Sequence, residues 1–277
     1  MWSSGASADG PLMGSAGARS DTAHLTRRAA VLGAAPALGG LCWVLCAWEA
    51  RHARQGPRPY ETALPADGVL GPPGAPVRVT WLGDSLAAGL GVDDVADTPA
   101  HAVARLLERP VELTVLAVPG ARAADVLVGQ VPRLRPDADL VILSVGANDV
   151  ASSCSREHYA LMVDRLLAAI APAPTVMLSL PDMATADRMA EPLRTLAGAR
   201  ARWFETARAR VAAGHAHVRS VDVATPPPGL SRRALRAFLS ADRFHPGPAG
   251  YRWWAERIAV AAHDLLPAFD LPQPVAA

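Results

Sequence analysis

The chain has 277 residues, is 51% apolar and 19% charged, and carries a formal net charge of +1. That length suits one or two domains of roughly 100–200 residues, and the composition is globular rather than disordered. Near-neutrality gives no reason to expect a nucleic-acid partner. All 27 basic residues are Arg, which excludes a Walker P-loop and any lysine Schiff base.

Residues 1–25 are rich in Ser, Gly and Ala without periodicity and read as a disordered tail. Residues 26–50 hold Arg27-Arg28 and then an uncharged apolar run, residues 29–48. Twenty such residues, at about 1.5 Å each, cross a hydrocarbon core of about 30 Å. Gly33, Pro36, Gly39 and Gly40 are tolerated in membrane helices, and Trp43 and Trp48 lie where interfacial aromatics belong. Three readings compete: a single membrane anchor, a cleaved export signal and a buried core helix. A core helix fits poorly between a tail and a linker. Ala47-Trp48-Glu49-Ala50 is a poor cleavage site, so the anchor is favoured over the signal. Arginines flank both ends, and the positive-inside rule leaves the orientation open. The expectation is an extracytoplasmic domain tethered to the membrane, with secretion after cleavage as the alternative.

Residues 51–76 are dense in Pro and Gly and read as a linker. The globular domain is expected over residues 77–270. Short apolar runs predict strands at Val77–Leu82, Val111–Val118, Asp139–Val145, Thr175–Leu180 and His217–Val223. Between them, Tyr159, Met162, Val163, Leu166, Leu167 and Ile170 have the spacing of one buried helix face. Tyr251, Trp254, Ile258, Ala262 and Leu265 repeat it near the end. The Arg-rich helix from Arg194 to Arg210 reads as a solvated face. Alternating strands and helices predict a three-layer α/β/α, flavodoxin-like domain with a five-stranded parallel sheet in the order 2-1-3-4-5.

In such sheets function gathers beyond the carboxyl ends of the strands. There the sequence places Gly83-Asp84-Ser85, then Pro119-Gly120, then Gly146-Ala147-Asn148-Asp149, and late in the chain Asp242-Arg243-Phe244-His245. A Ser hydroxyl needs a base in contact, and His is the natural one. The base needs a carboxylate to fix its tautomer. Asp242 and His245 are three apart, which one helical turn would place on one face. Ser85 N–H, Gly120 N–H and the amide of Asn148, the only Asn in the chain, would supply three donors to an oxyanion. Asp149 reads as a loop-ordering carboxylate.

These four blocks, in order, resemble the SGNH/GDSL hydrolases, over about Val77 to Leu266. The resemblance implies Ser85 as nucleophile, Asp242 and His245 as the acid–base pair, and Ser85, Gly120 and Asn148 as the oxyanion hole. It implies a serine esterase acting on lipid or acylated-carbohydrate esters, with no cofactor and no metal. An acyltransferase passing the acyl group to a sugar or lipid hydroxyl is the alternative, followed by a non-catalytic carbohydrate- or lipid-binding module. A flavin-binding flavodoxin would want a phosphate loop where Asp84 stands, and an α/β-hydrolase would want Gly at position 87, which is Ala. Met183, in the stretch after the fourth strand, is expected to touch substrate. His215 and His217 lack a third ligand, and Cys154 lacks a His of its own.

Overall fold

The computed structural model describes residues 63–267. The tail at 1–25, the anchor or signal at 26–50 and the first part of the linker lie outside those residues. Among the described residues no helix is long and apolar enough to cross a membrane.

The central sheet has six strands: β1 (Gly68–Leu70), β2 (Val77–Gly83), β3 (Val111–Val115), β4 (Leu140–Ser144), β5 (Thr175–Leu178) and β6 (Val218–Val221). Their spatial order is β1-β3-β2-β4-β5-β6. The last five are parallel and stand in the expected order. The sixth strand is a correction to the five-stranded expectation: β1 pairs antiparallel with β3, Val69 opposite Glu112. It lies inside the stretch read as linker, so the sheet starts before Val77. Leu64 packs against the hydrophobic core on one face of the sheet, and Ala66 is buried.

β2, β4 and β5 are nearly continuous apolar runs because both faces of the sheet are covered. Alternate side chains face opposite cores. Val79, Trp81, Leu140 and Ile142 point into one core, with α1 (Pro99–Leu106) and α7 (Pro248–Leu265). Leu82, Val141 and Leu143 point into the other, with α2 (Ala123–Gly129), α4 (Arg156–Ile170) and α5 (Leu193–Ala213). The expected faces of α4 and α7 are buried as read, apart from half-buried Leu265. Ser155 starts α4 by accepting the His158 N–H on its hydroxyl.

α5 departs from the solvated reading along one face, where Ala201, Phe204, Ala207, Arg208 and Ala212 are buried. Arg208 is buried, its guanidinium held by Glu205 at 2.7 Å, and the Glu205 carboxylate also accepts the Leu180 N–H at 2.9 Å. A charge at that depth is stable only when paired.

The chain leaves β2 for β3 on one side and reaches β4 on the other. This reversal opens a crevice beyond the carboxyl end of β2, the place where doubly wound sheets bind ligands.

Candidate active site

β2 ends at Gly83, and the chain turns sharply into Asp84 and Ser85. Gly83 has φ 142°, and a Cβ there would collide with the Ser144 carbonyl of β4. Only glycine lets the two strand ends approach this closely. The Gly83 N–H donates to Gln130 Oε1 at 2.8 Å, and Gln130 Nε2 donates to the Gly83 carbonyl at 2.8 Å. Gln130 is buried at the end of α2 and completes the bonding of Gly83 just past the end of β3. The turn carrying Ser85 is thus fixed on both flanks.

Ser85 Oγ lies 3.0 Å from His245 Nε2, and His245 Nδ1 lies 2.6 Å from Asp242 Oδ2. An ionised carboxylate only accepts, so Nδ1 carries the proton and Nε2 is left to accept from the Ser85 hydroxyl. Asp242 and His245 do meet, but not through the expected helical turn. Arg243 has φ 59°, and the backbone wraps the carboxylate, so that Asp242 Oδ1 accepts from the N–H groups of Phe244 and His245 and from Ser240 Oγ. Burial works against the charge on Asp242, but the hydrogen bonds from His245, Ser240 and the His245 amide prevail and hold it below the ordinary carboxylate range.

The loop after Ser85 reaches round to His245. A Cβ on Gly91 would run into the Pro246 carbonyl and come within 3.0 Å of His245 Cβ. Tyr251, on α7, donates its hydroxyl to the Leu90 carbonyl at 2.6 Å. The helix that follows His245 is therefore bonded to the turn that follows Ser85.

Asn148 lies in the short helix α3 (Ala147–Val150) after β4. Its Nδ2 donates one hydrogen to the Ala121 carbonyl at 3.0 Å, next in the chain to Gly120. A primary amide has a second hydrogen to offer. Gly120 is exposed in a turn closed by the Ala121 N–H to the Val118 carbonyl. Asp149 orders this region as expected, its Oδ2 accepting the Ala123 N–H at 3.0 Å.

A cavity of about 140 Å³ runs from Ser85 and Asn148 between the 181–186, 223–239 and 246–254 segments. Met183 lines it and is buried, as is Met189 nearby. Gln130 and Arg200 are contributors that the sequence reading passed over. Arg200 donates to the carbonyls of Val150, Ser152 and Cys154, tying down the end of the Asn148 helix. A lone buried amide closing an apolar helix was a visible signal for Gln130. An Arg among many on α5 gave none for Arg200. Among the described residues no cluster of His, Cys, Asp and Glu is arranged to hold a metal.

A family model described as the GDSL-like Lipase/Acylhydrolase family matches residues 81–253. The chain is 29% identical over 249 residues to a GDSL-like esterase of Mycobacterium tuberculosis, covering 79% of this chain and 76% of the relative. Its fold is similar to that of a lipase/acylhydrolase from Enterococcus faecalis, with TM-score 0.55 and 19% identity over 70% of this chain and 100% of the other. It is also similar to the psychrotrophic esterase EstA from Pseudoalteromonas sp., with TM-score 0.53 and 14% identity over 68% of this chain and 97% of that one.

Proposed function

The chain belongs to the GDSL-like lipase/acylhydrolase family and is an ester hydrolase; from that premise we propose that it works through a Ser85–His245–Asp242 triad and an acyl-enzyme on carboxylic esters of lipids or acylated carbohydrates. The observation that carries this reading is His245, bonded to Ser85 through Nε2 and to Asp242 through Nδ1.

Ser85 Oγ attacks the ester carbonyl while His245 Nε2 takes the hydroxyl proton. Asp242 keeps the ring oriented and stabilises the imidazolium. The tetrahedral intermediate places its negative oxygen among the Ser85 N–H, the Gly120 N–H and the free Asn148 hydrogen. As the ester C–O bond breaks, the imidazolium gives its proton to the leaving alkoxide, and the alcohol departs. Water then enters, loses a proton to His245 and attacks the acyl carbon. The C–O bond to Ser85 breaks, Oγ recovers the proton, and the carboxylic acid leaves. Nothing in these steps needs a metal or cofactor.

The proposal includes a tether. Residues 29–48 form an uncharged run long enough to span a bilayer, and they would hold the catalytic domain at the extracytoplasmic face of a membrane.

Hydrolysis of p-nitrophenyl esters by the wild type beside Ser85→Ala tests the chemistry. The wild type should turn over and the variant should fall to background; equal rates would refute the nucleophile.

A further inference from the structure

The cavity beside Ser85 is lined mainly by apolar side chains, among them Leu86, Met183, Leu235, Phe238 and Phe244, and its polar members are partly engaged. Asp182 Oδ1 accepts the Ala184 N–H at 3.0 Å, and the Thr185 hydroxyl donates to the Asp182 carbonyl at 2.7 Å. Polar side chains other than Ser85 and Asn148 are few in the lining, so a hydroxyl or carboxyl group on a bound molecule finds little there to replace water. Such a ligand would lose hydrogen bonds to water with little replacement. A hydrocarbon would not.

We propose that this cavity binds the acyl chain of the substrate and selects straight, unsubstituted acyl groups of about six to eight carbons, since a cavity of near 150 Å³ holds a six-carbon molecule such as benzene. This rests on the triad reading above.

Connectivity favours the acyl group over the alcohol. The acyl carbon is bonded to Ser85 Oγ, and Ser85 lines the cavity. The leaving alcohol must stand at His245 Nε2 to receive its proton, and His245 is not part of the lining.

The cavity is built before substrate arrives. One wall holds Met183 and Ala186, from the turn after β5; the other holds Ala224 and Phe238, from the segment between β6 and Asp242. Trp253 closes on Phe238 edge to face, with ring centroids 6.5 Å apart. Asp187 links the walls: its carboxylate pairs with Arg194 at 3.2 Å and with Arg236, two residues before Phe238, at 2.5 Å. Walls already fixed spare the substrate the cost of ordering them. Each methylene buried between them is worth about fourfold in specificity.

The test is kcat/KM for p-nitrophenyl esters from acetate to palmitate, and for alkyl acetates from ethyl to octyl, in the wild type, Ala224→Phe and Phe238→Ala. The wild type should rise about fourfold per methylene to hexanoate or octanoate and then stop rising. Ala224→Phe should cut the octanoate-to-acetate ratio by about tenfold or more. Phe238→Ala should move the optimum to longer chains, and it keeps the test decisive if Ala224→Phe fails to fold. The alkyl acetate profile should keep its shape in both. A wild type fastest on acetate overturns the proposal, and so do variants that leave the acyl profile alone or reshape the alkyl profile instead. In those cases the triad reading survives, because Ser85-dependent turnover is still seen. If folded wild type hydrolyses no ester faster than Ser85→Ala, the triad reading fails and the acyl site falls with it.

Discussion

Gln130 holds Gly83 from both sides, its amide oxygen accepting the Gly83 N–H and its amide nitrogen donating to the Gly83 carbonyl, each at 2.8 Å. The carbonyl has a second donor, the Val118 N–H at 3.0 Å. Gln130→Leu would keep the volume and orphan the buried Gly83 N–H, at a cost of about 1–3 kcal/mol. The melting temperature should fall by several degrees. kcat should fall with it, because Ser85 lies two residues beyond Gly83. Thermal melts and steady-state kinetics check this, and an unchanged melting temperature would contradict it.

A second prediction concerns pH. Asp84 is fully buried; its Oδ1 accepts the Leu86 N–H at 3.0 Å, and its Oδ2 has no partner among the described residues. Burial, helped by the charge of Asp149, pushes its carboxyl up from 3.8 to about 7 against the opposing bonds from Leu86 and Gly146. Burial likewise raises Asp149 to about 6. A raised acid binds its proton more tightly in the folded chain than in the unfolded one. Its stabilising contribution is complete below 3.8 and is lost as pH climbs through about 7. Melting temperature should therefore decline between about pH 4 and pH 7 and level off above that. Asp84→Asn, which keeps the shape and cannot ionise, should flatten that decline and gain a few degrees at the alkaline end. Equal slopes in wild type and variant would contradict the assignment.

The third prediction fixes the start of the domain. A chain beginning at residue 56 retains Leu64, Ala66 and β1 and should fold, stay soluble and hydrolyse esters. One beginning at Val77 exposes the edge of β3 and uncovers part of the α1 core. It should melt lower and aggregate more readily. Equal melting temperatures would return residues 63–76 to the status of linker. In the intact chain, release from the membrane fraction by detergent but not by high salt tests the tether at 29–48.

The sequence revealed most of this fold where the physics is local or periodic. β2, β4 and β5 are the most legible strands, because burial on both faces demands nearly unbroken apolar runs, while β3 and β6 carry Glu112, Arg219 and Ser220 and signal less. α4 and α7 stood out because one buried face repeats at helical spacing. β1 did not. It has three residues between glycines and prolines, and only its pairing with β3 makes it a strand. The contact of Asp242 with His245 was legible from spacing, but its geometry was not: a left-handed Arg243 is decided by the amides wrapping the carboxylate, not by any turn signature. Arg200 was hidden because its partners are backbone carbonyls of a distant segment, and carbonyls leave no trace in composition.

The fourth prediction concerns Asn148. Its free amide hydrogen would serve an oxyanion that exists only in the tetrahedral state. Asn148→Ala should lower kcat by about 10²–10³ with little change in KM. Asn148→Asp should be at least as poor, since a carboxylate repels the developing charge. A purely structural role, through the bond to the Ala121 carbonyl, predicts a lower melting temperature in step with the lost activity. Near-wild-type turnover in Asn148→Asp would refute the oxyanion role.

The account depends above all on Ser85 being the activated serine. Only Ser85 among the described serines has its hydroxyl on a histidine that is itself bonded to a buried carboxylate. Reaction of the folded wild type with a fluorophosphonate, followed by peptide mapping, reads this directly. The label should sit on Ser85 alone and vanish in His245→Ala. A label on another serine, or folded protein that takes none, would contradict the mechanism at its first step.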